Sequence, residues 1–387
     1  MSITRKYLTG NEFRVIHTVG HTQAGIRLDR FLMARYRHRS REKLKQAIER
    51  GAVTIIRESS KHLHPGRVKP SFALHPGDLV QLLSIRKPEP EVNFDYKILY
   101  EDEYMYVIHK PANLPVHPAG KYFFHTLLTH LKTNGLKEPL QADRKYFLVH
   151  RIDKETSGLI LLAKTREACN ALTSQFRNRE TSKYYLAIVH GVPQENNFTV
   201  DSSIGKMRGS AIGLKMHAVS EENGGLSAVT RFEVIESRDN FSLVACFPRT
   251  GRQHQIRAHA DIAGHPLVGD KIYGLSDHDA LLLIDAYHDE MNADLEEMES
   301  DDDGDGEEDL PVTDDEFMIP GPTSEIYAEL EEKLMLPRHA LHAAGLRFKH
   351  PKTEKEMIFE AELPRDLQSF FESITGRRLE IFKTSHW

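Results

Sequence analysis

Cysteine is almost missing: the 387 residues hold two, Cys169 and Cys246, far apart in sequence and without the close spacing of a metal-ligand pair. That argues against a disulfide-stapled secreted framework and against a cysteine-bound metal, and fits two reduced core thiols in a cytosolic protein. Long apolar runs are also lacking, so no segment reads as a bilayer span. The first residues, Met1-Ser2-Ile3-Thr4-Arg5-Lys6, carry no apolar core of a secretory signal. A cytoplasmic protein without membrane partners is expected, long enough for two or more domains.

Positive charge looks scarce as well, with a net charge of −6. The average hides an uneven distribution. Residues 289–316 hold sixteen Asp or Glu and no Lys or Arg, so setting that segment aside turns −6 into +10. A basic body of this kind fits an RNA-facing surface, although Lys and Arg scattered over a solvated face would sum to the same figure.

Two stretches concentrate chemistry. Val149-His150-Arg151-Ile152-Asp153-Lys154-Glu155-Thr156-Ser157-Gly158 sets a carboxylate, an arginine and two hydroxyls ahead of the apolar run Leu159-Ile160-Leu161-Leu162-Ala163. That run reads as a buried strand, which makes the polar residues a loop on a sheet edge. Further on, Phe241–Phe247 alternates like a strand and leads into Gly251-Arg252-Gln253-His254-Gln255-Ile256-Arg257. The first stretch is similar to the His-Arg-Leu-Asp-x-x-Thr-Ser-Gly element of the RluA family of pseudouridine synthases, with Ile152 in the Leu place. The second is similar to that family's Gly-Arg-x-His-Gln-Ile-Arg. Lys110-Pro111 with Val116-His117-Pro118, Lys183–Gly191, Gly264–Gly274 and Arg338–Ala343 follow the family's order too. The resemblance covers roughly residues 90–275 and 336–365, and its strength is the ordered set rather than any one block.

Residues 1–20 read as a lead segment, with Phe13, Val15 and Val19 as a possible edge strand. From 21 to 86 a compact unit is expected. Leu28, Phe31 and Leu32, then Leu44, Ala47 and Ile48, recur at helical spacing, with Ser40 placed to cap the second helix. Val53–Ile55 and Leu79–Leu83 look like strands, with Pro76-Gly77-Asp78 as the turn between. This unit resembles the S4 RNA-binding domain in Arg27–Leu32, Ser40-Arg41, Ile48, Gly51, Val53 and Gly77-Asp78. Between Arg27 and Arg50 stand nine Lys or Arg against three Asp or Glu. Arg27, Arg30, Arg41, Lys43 and Lys45 are the expected phosphate contacts, which supply affinity and register rather than sequence reading. Arg27 or Arg30 paired with Asp29 or Glu49 on a solvated helix is the competing reading.

Residues 87–91 read as a proline-stiffened linker. The catalytic domain is then expected over 92–387, with strands at Ile98–Tyr100, Met105–Ile108, Phe147–Val149 and Tyr184–Val189. Short helices are expected at Phe124–Leu131, at Arg166–Asn178 capped by Thr165, and from near Gln253 to a stop at Gly264. Residues 276–335 interrupt the resemblance. Ala280–Met298 could form an amphipathic helix, and Asp301–Asp309 is of a composition that remains disordered. Its aspartates do not match a calcium loop.

The resemblance implies an α/β (α+β) fold: a mixed, largely antiparallel sheet flanked by helices, plus the small N-terminal domain. It implies isomerisation of uridine in RNA, a reaction that needs no redox step, metal or cofactor. Asp153 takes the place of the essential carboxylate, Arg257 its guanidinium partner, and Tyr185 the ring against the flipped uracil. Arg151 takes the place of the arginine that enters the vacated base stack, and Arg252 is a further RNA contact. His254, His259 and His265 read as packing residues rather than zinc ligands. The S4-like unit points to a large structured target, so ribosomal RNA leads and transfer RNA follows, bound by a monomer. A non-catalytic RNA binder and a carboxylate-dependent nucleoside or glycoside hydrolase are the other classes. The second usually needs a second carboxylate at a set separation, and Glu155 has no evident partner for it.

Overall fold

The structure is a computed structural model that describes residues 4–9, 12–36, 40–57, 68–85, 89–119, 122–133, 146–206, 212–283 and 324–376. It divides into two compact units, Met1–Glu91 with His117–Tyr146, and Val92–Val116 with Phe147–Trp387.

In the first unit the strands β1 (Thr4–Thr9), β2 (Glu12–Thr18), β3 (Val53–Ile56) and β4 (Leu79–Ile85) form an antiparallel sheet in the order β1-β2-β4-β3. Helices α1 (Leu28–Arg35) and α2 (Arg41–Glu49) pack on it through Leu28, Phe31, Leu32, Leu44 and Ile48. These meet Val53, Ile55, Val80 and Leu82, the residues that strand alternation turns to one face. Ser40 caps α2 by accepting from the Lys43 N–H at 3.3 Å. Gly77 takes the positive φ that the turn before β4 requires, and Asp78 closes the turn by accepting from the His75 N–H and from Arg57.

Two boundaries differ from those expected. Residues 1–20 are not a separate lead segment, because β2 pairs with β4 from Glu12↔Ile85 to Thr18↔Leu79 and so lies inside the sheet. Of the expected linker 87–91, Glu89 is anchored: its carboxylate accepts from the backbone N–H groups of Phe123, Phe124 and His125 at 2.8–2.9 Å. That contact ties His117–Tyr146, including the short helix α3 (Leu127–Lys132), to the first unit rather than to the expected continuous domain from 92 onward.

The second unit is built on a ten-stranded sheet. Its path comprises β10 (Asn197–Asp201), β13 (Val229–Arg238), β14 (Phe241–Pro248), β9 (Ser182–His190), β15 (Leu341–Lys349), β8 (Ser157–Ala163), β6 (Met105–Lys110) and β5 (Lys97–Glu101), in that spatial order. β16 (Glu356–Glu360) pairs with β15, β7 (Phe147–Leu148) pairs with β8, and β11 (Ile204–Gly205) and β12 (His217–Ala218) form a separate two-stranded ribbon. All pairings are antiparallel except β15 with β8. β8 is buried along its whole length, as its apolar run Leu159–Ala163 demands. Helix α4 (Arg166–Arg177), capped by Thr165, packs Ala168 and Leu172 against Leu159, Leu161, Met105 and Val107. On β9, Ala187 and Val189 meet Ile256 and Ala260 of helix α5 (Gln255–Ile262), whereas Ile188 meets Leu367 and Phe371 of the helix Arg365–Thr375. Alternation along one strand therefore buries it against a helix on each face.

The interruption at 276–335 is closed at its base, where Leu282 and Leu283 pack on Leu330 and Leu334 of the helix Ser324–Leu334. Residues 284–323, with the acidic run, its expected disorder and most of the expected Ala280–Met298 helix, lie outside the described residues. Among the described residues no helix is long and apolar enough to cross a membrane.

Candidate active site

The loop 149–156 enters β8, and buried polar groups hold it from below. Lys110 is fully buried, and its Nζ donates to the carbonyls of Pro111 and Lys154 at 2.8 and 3.0 Å. Arg338 donates to the Glu155 carbonyl at 3.2 Å, and its fork is fixed by two bonds to Asp366. The Thr156 hydroxyl meets His339 Nε2 at 2.8 Å, and the Ser157 hydroxyl meets His342 Nδ1 at 2.9 Å. His150 stacks on Phe176 and accepts from the Leu161 N–H at 3.1 Å. These contacts fix backbone whose polar groups would otherwise go unsatisfied.

Asp153 stands where this loop meets the start of α5. Its Oδ2 accepts from Arg257 Nη1 at 3.1 Å. Arg257 is buried, and its Nε and Nη2 donate to Asp270 at 2.6 and 2.8 Å, so one guanidinium is clamped by a carboxylate on one edge and presented to Asp153 on the other. At about 4 Å and an effective dielectric near 20, such a pair attracts by roughly 4 kcal/mol before desolvation. Burial alone would raise the Asp153 pKa. Its cationic neighbours His254, Arg257 and His339 more than offset that and lower it to about 2. His254 exerts this pull only when protonated, and its own burial lowers its pKa to about 4. At neutral pH the His254 share of that pull is therefore absent, while the Arg257 charge remains.

His254 was read as a packing residue, but the structure places it at the site. It takes a left-handed conformation (φ 53) at the cap of α5, which delays the helix start to Gln255, and its Nε2 lies 4.0 Å from Asp153 Oδ2. The Tyr273 hydroxyl accepts from the Met216 N–H at 2.9 Å, leaving its own proton for His254 Nδ1 at 3.3 Å. Gln255 fixes the turn: its carbonyl accepts from Thr250 and the Arg252 N–H, and its amide donates to Val229 and Thr230. His259 and His265 are bonded elsewhere, to Thr230 and Ser202 and to His190 respectively. Among the described residues no cluster of His, Cys, Asp or Glu is arranged to hold a metal.

A cavity of about 540 Å³ opens over Asp153, and Tyr185, Arg257, Arg151 and Arg252 line it together. Tyr185 faces it from β9, while Tyr184 is turned away into the core with Leu186 and Ala245. Burial, the Asp153 charge and Cys246 all raise the Tyr185 pKa, so the ring arrives as a neutral phenol. Arg151 is exposed, and Arg252 donates to the Ser227 carbonyl at 3.1 Å. Asp270, Tyr273 and Lys183 received no role in the sequence reading. The first two lie in the Gly264–Gly274 block and the third two residues before Tyr185, where strand period 2 was the available signal.

In the first unit, Arg27 is bound to Asp29 by two hydrogen bonds, and Arg41 approaches the same carboxylate at 3.6 Å. Lys45 lies near Glu42 and Glu49, at 4.0 and 3.9 Å. Arg30 and Lys43 are exposed. The competing reading thus holds for Arg27, whose fork is occupied.

Residues 104–261 match the RNA pseudouridylate synthase family. Over 370 residues the chain is 30% identical to ribosomal large subunit pseudouridine synthase D of Zymomonas mobilis, covering 92% of this chain and 96% of that protein. This chain belongs to the RluA family of RNA pseudouridine synthases. The synthase is also 30% identical over 376 residues to ribosomal large subunit pseudouridine synthase C of Haemophilus ducreyi, covering 93% and 96% of the two chains. A solved human structure, RNA pseudouridylate synthase domain containing 4, is 28% identical, with a TM-score of 0.47 over 72% of this chain and 92% of its own. The loop from 149 to 158 and the turn from 251 to 257 both fall inside the matched residues.

Proposed function

We propose that this synthase converts specific uridines of large-subunit ribosomal RNA to pseudouridine, acting as a cytoplasmic monomer without a metal, with Asp153 as the catalytic carboxylate. The observation that carries the assignment is the Asp153–Arg257 contact at 3.1 Å on the wall of a cavity that Tyr185 also lines. The ribosomal target is supported by what the two curated relatives are named for. The flipped nucleotide leaves its stack at a cost of a few kcal/mol, and Arg151 fills the gap by stacking its guanidinium plane. The bond from C1′ to N1 breaks, the ring turns and C1′ bonds to C5; a base then takes the C5 proton and N1 gains one, so the product is an isomer of uridine. Addition of Asp153 to the ring, attack at the sugar and abstraction of a sugar proton all require the ionised form, which Arg257 secures. Tyr185 stacks on the uracil. Its pKa is raised in part by the Asp153 charge, so once that charge is spent in the reaction the phenol becomes more acidic and better suited to proton transfer. The exposed Arg30 and Lys43 of the S4-like unit contact phosphates.

Replacing Asp153 by Asn tests this directly. Release of label from C5-tritiated uridine in a large-subunit rRNA transcript should fall by at least a thousandfold while filter binding of the transcript stays within a few-fold of wild type. Normal turnover by Asp153→Asn would end the assignment.

A further inference from the structure

The cavity is more cationic than a uracil needs. Arg257 is matched by Asp153 and Asp270, yet Arg151, Arg177, Arg179, Lys183, Arg249 and Arg252 line the same space, and none of these six pairs with a carboxylate among the described residues. Five are exposed arginines. Lys183 differs. It sits on β9 two residues before Tyr185, half-buried on the same face, with its Nζ 5.6 Å from the Phe176 ring. Among the described residues no oxygen accepts a hydrogen bond from it. Gly251 leaves its flank uncovered, since a Cβ there would stand 3.7 Å from Nζ.

An ammonium partly withdrawn from water and given no counter-charge is costly, and burial accordingly lowers the Lys183 pKa to about 8. The base and the ribose that enter are neutral. Only the phosphodiester carries the charge that would complete this site. Building on the function proposed above, we infer that Lys183 seats an RNA phosphate, the one adjoining the nucleotide whose base enters beside Tyr185. The exposed arginines draw the backbone in by long-range attraction, and Lys183 sets its depth, so that C1′ is delivered to Asp153 rather than held at the mouth.

The probe is the tritiated large-subunit rRNA transcript, with binding and turnover measured across a salt series. Lys183→Gln should weaken Kd and raise KM about tenfold, with the loss falling there rather than on kcat. It should also make the slope of log Kd against log salt shallower by about 0.7–0.9, one phosphate contact. Lys183→Met, which keeps the apolar stem on Phe176, is read the same way should the Gln variant fold poorly. Lys183→Arg should restore both the affinity and the slope. A wild-type salt slope in the Gln and Met variants overturns the inference, as does a loss confined to kcat. Wild-type enzyme that releases no tritium from the transcript would instead overturn the function on which the inference rests.

Discussion

Arg257 is shared between two carboxylates, and that sharing decides how pH acts on the site. Asp270 is held low against strong burial by the same guanidinium, so both acids are ionised together and Arg257 stays charged throughout. For Asp153 the folded pKa of about 2 lies below the usual carboxylate value near 3.9. Its stabilising contribution is thus fully present above about pH 4 and is lost as pH falls through about 2. His254, at about 4, is neutral above pH 5. Neither group titrates between pH 5 and 7. Single-turnover tritium release under kcat/KM conditions should therefore be level across that window. An acid limb with an apparent pKa of 6 to 7 would mean that a group other than these two controls the reaction. The pairing of Arg257 with Asp153 was legible from the two motifs, since a carboxylate kept charged in a half-dry pocket needs a guanidinium. Asp270 was not, because nothing in its Gly-Asp-Lys context states that its carboxylate turns back on α5. The left-handed His254 was hidden for the same kind of reason: only Gly commonly announces such a conformation.

At the level of elements, the loop that carries Asp153 depends on how closely β8 and β15 run. Gly158 has φ +111, and a Cβ at that position would lie 2.2 Å from the Ala343 carbonyl oxygen. Both partners are backbone in the middle of a sheet, so neither can swing away as a side chain would. Gly158→Ala should cost about 3 kcal/mol or more, combining strain and overpacking. The urea unfolding midpoint measures it, and a midpoint near that of wild type would refute this strand spacing. The glycine was visible as part of a motif, but its reason was not, since β15 lies about 185 residues further on in the chain. Local signals are legible in the sequence: the buried run of β8, the Ser40 and Thr165 caps, the Pro76-Gly77-Asp78 turn and the Gly264 stop all have causes within a few residues. Non-local ones are not. β1 and β2 join the first sheet only through pairing with β4, and the segment leading into α3 is held by the Glu89 carboxylate and the Pro90 carbonyl.

For the molecule as a whole, charge is the property that no single element explains. The sixteen acidic residues of 289–316 bring a body of +10 to a net −6, and they lie within an interruption whose two ends are packed together by Leu282, Leu283, Leu330 and Leu334. Removing 289–316 therefore leaves the packed base of the interruption intact. An acidic segment tethered to a protein that binds a polyanion competes with it through the same cations. That competition is long-range and fades once the Debye length shrinks, from roughly 10 Å at 0.1 M salt to roughly 3 Å at 1 M. Deleting 289–316 should tighten binding of the large-subunit rRNA transcript several-fold at 50 mM salt and leave it unchanged at 500 mM. The slope of log Kd against log salt should steepen accordingly, because cations released from the acidic segment become available to phosphates. Equal binding by the deletion variant and the full chain at low salt would mean that the segment does not screen the basic surface.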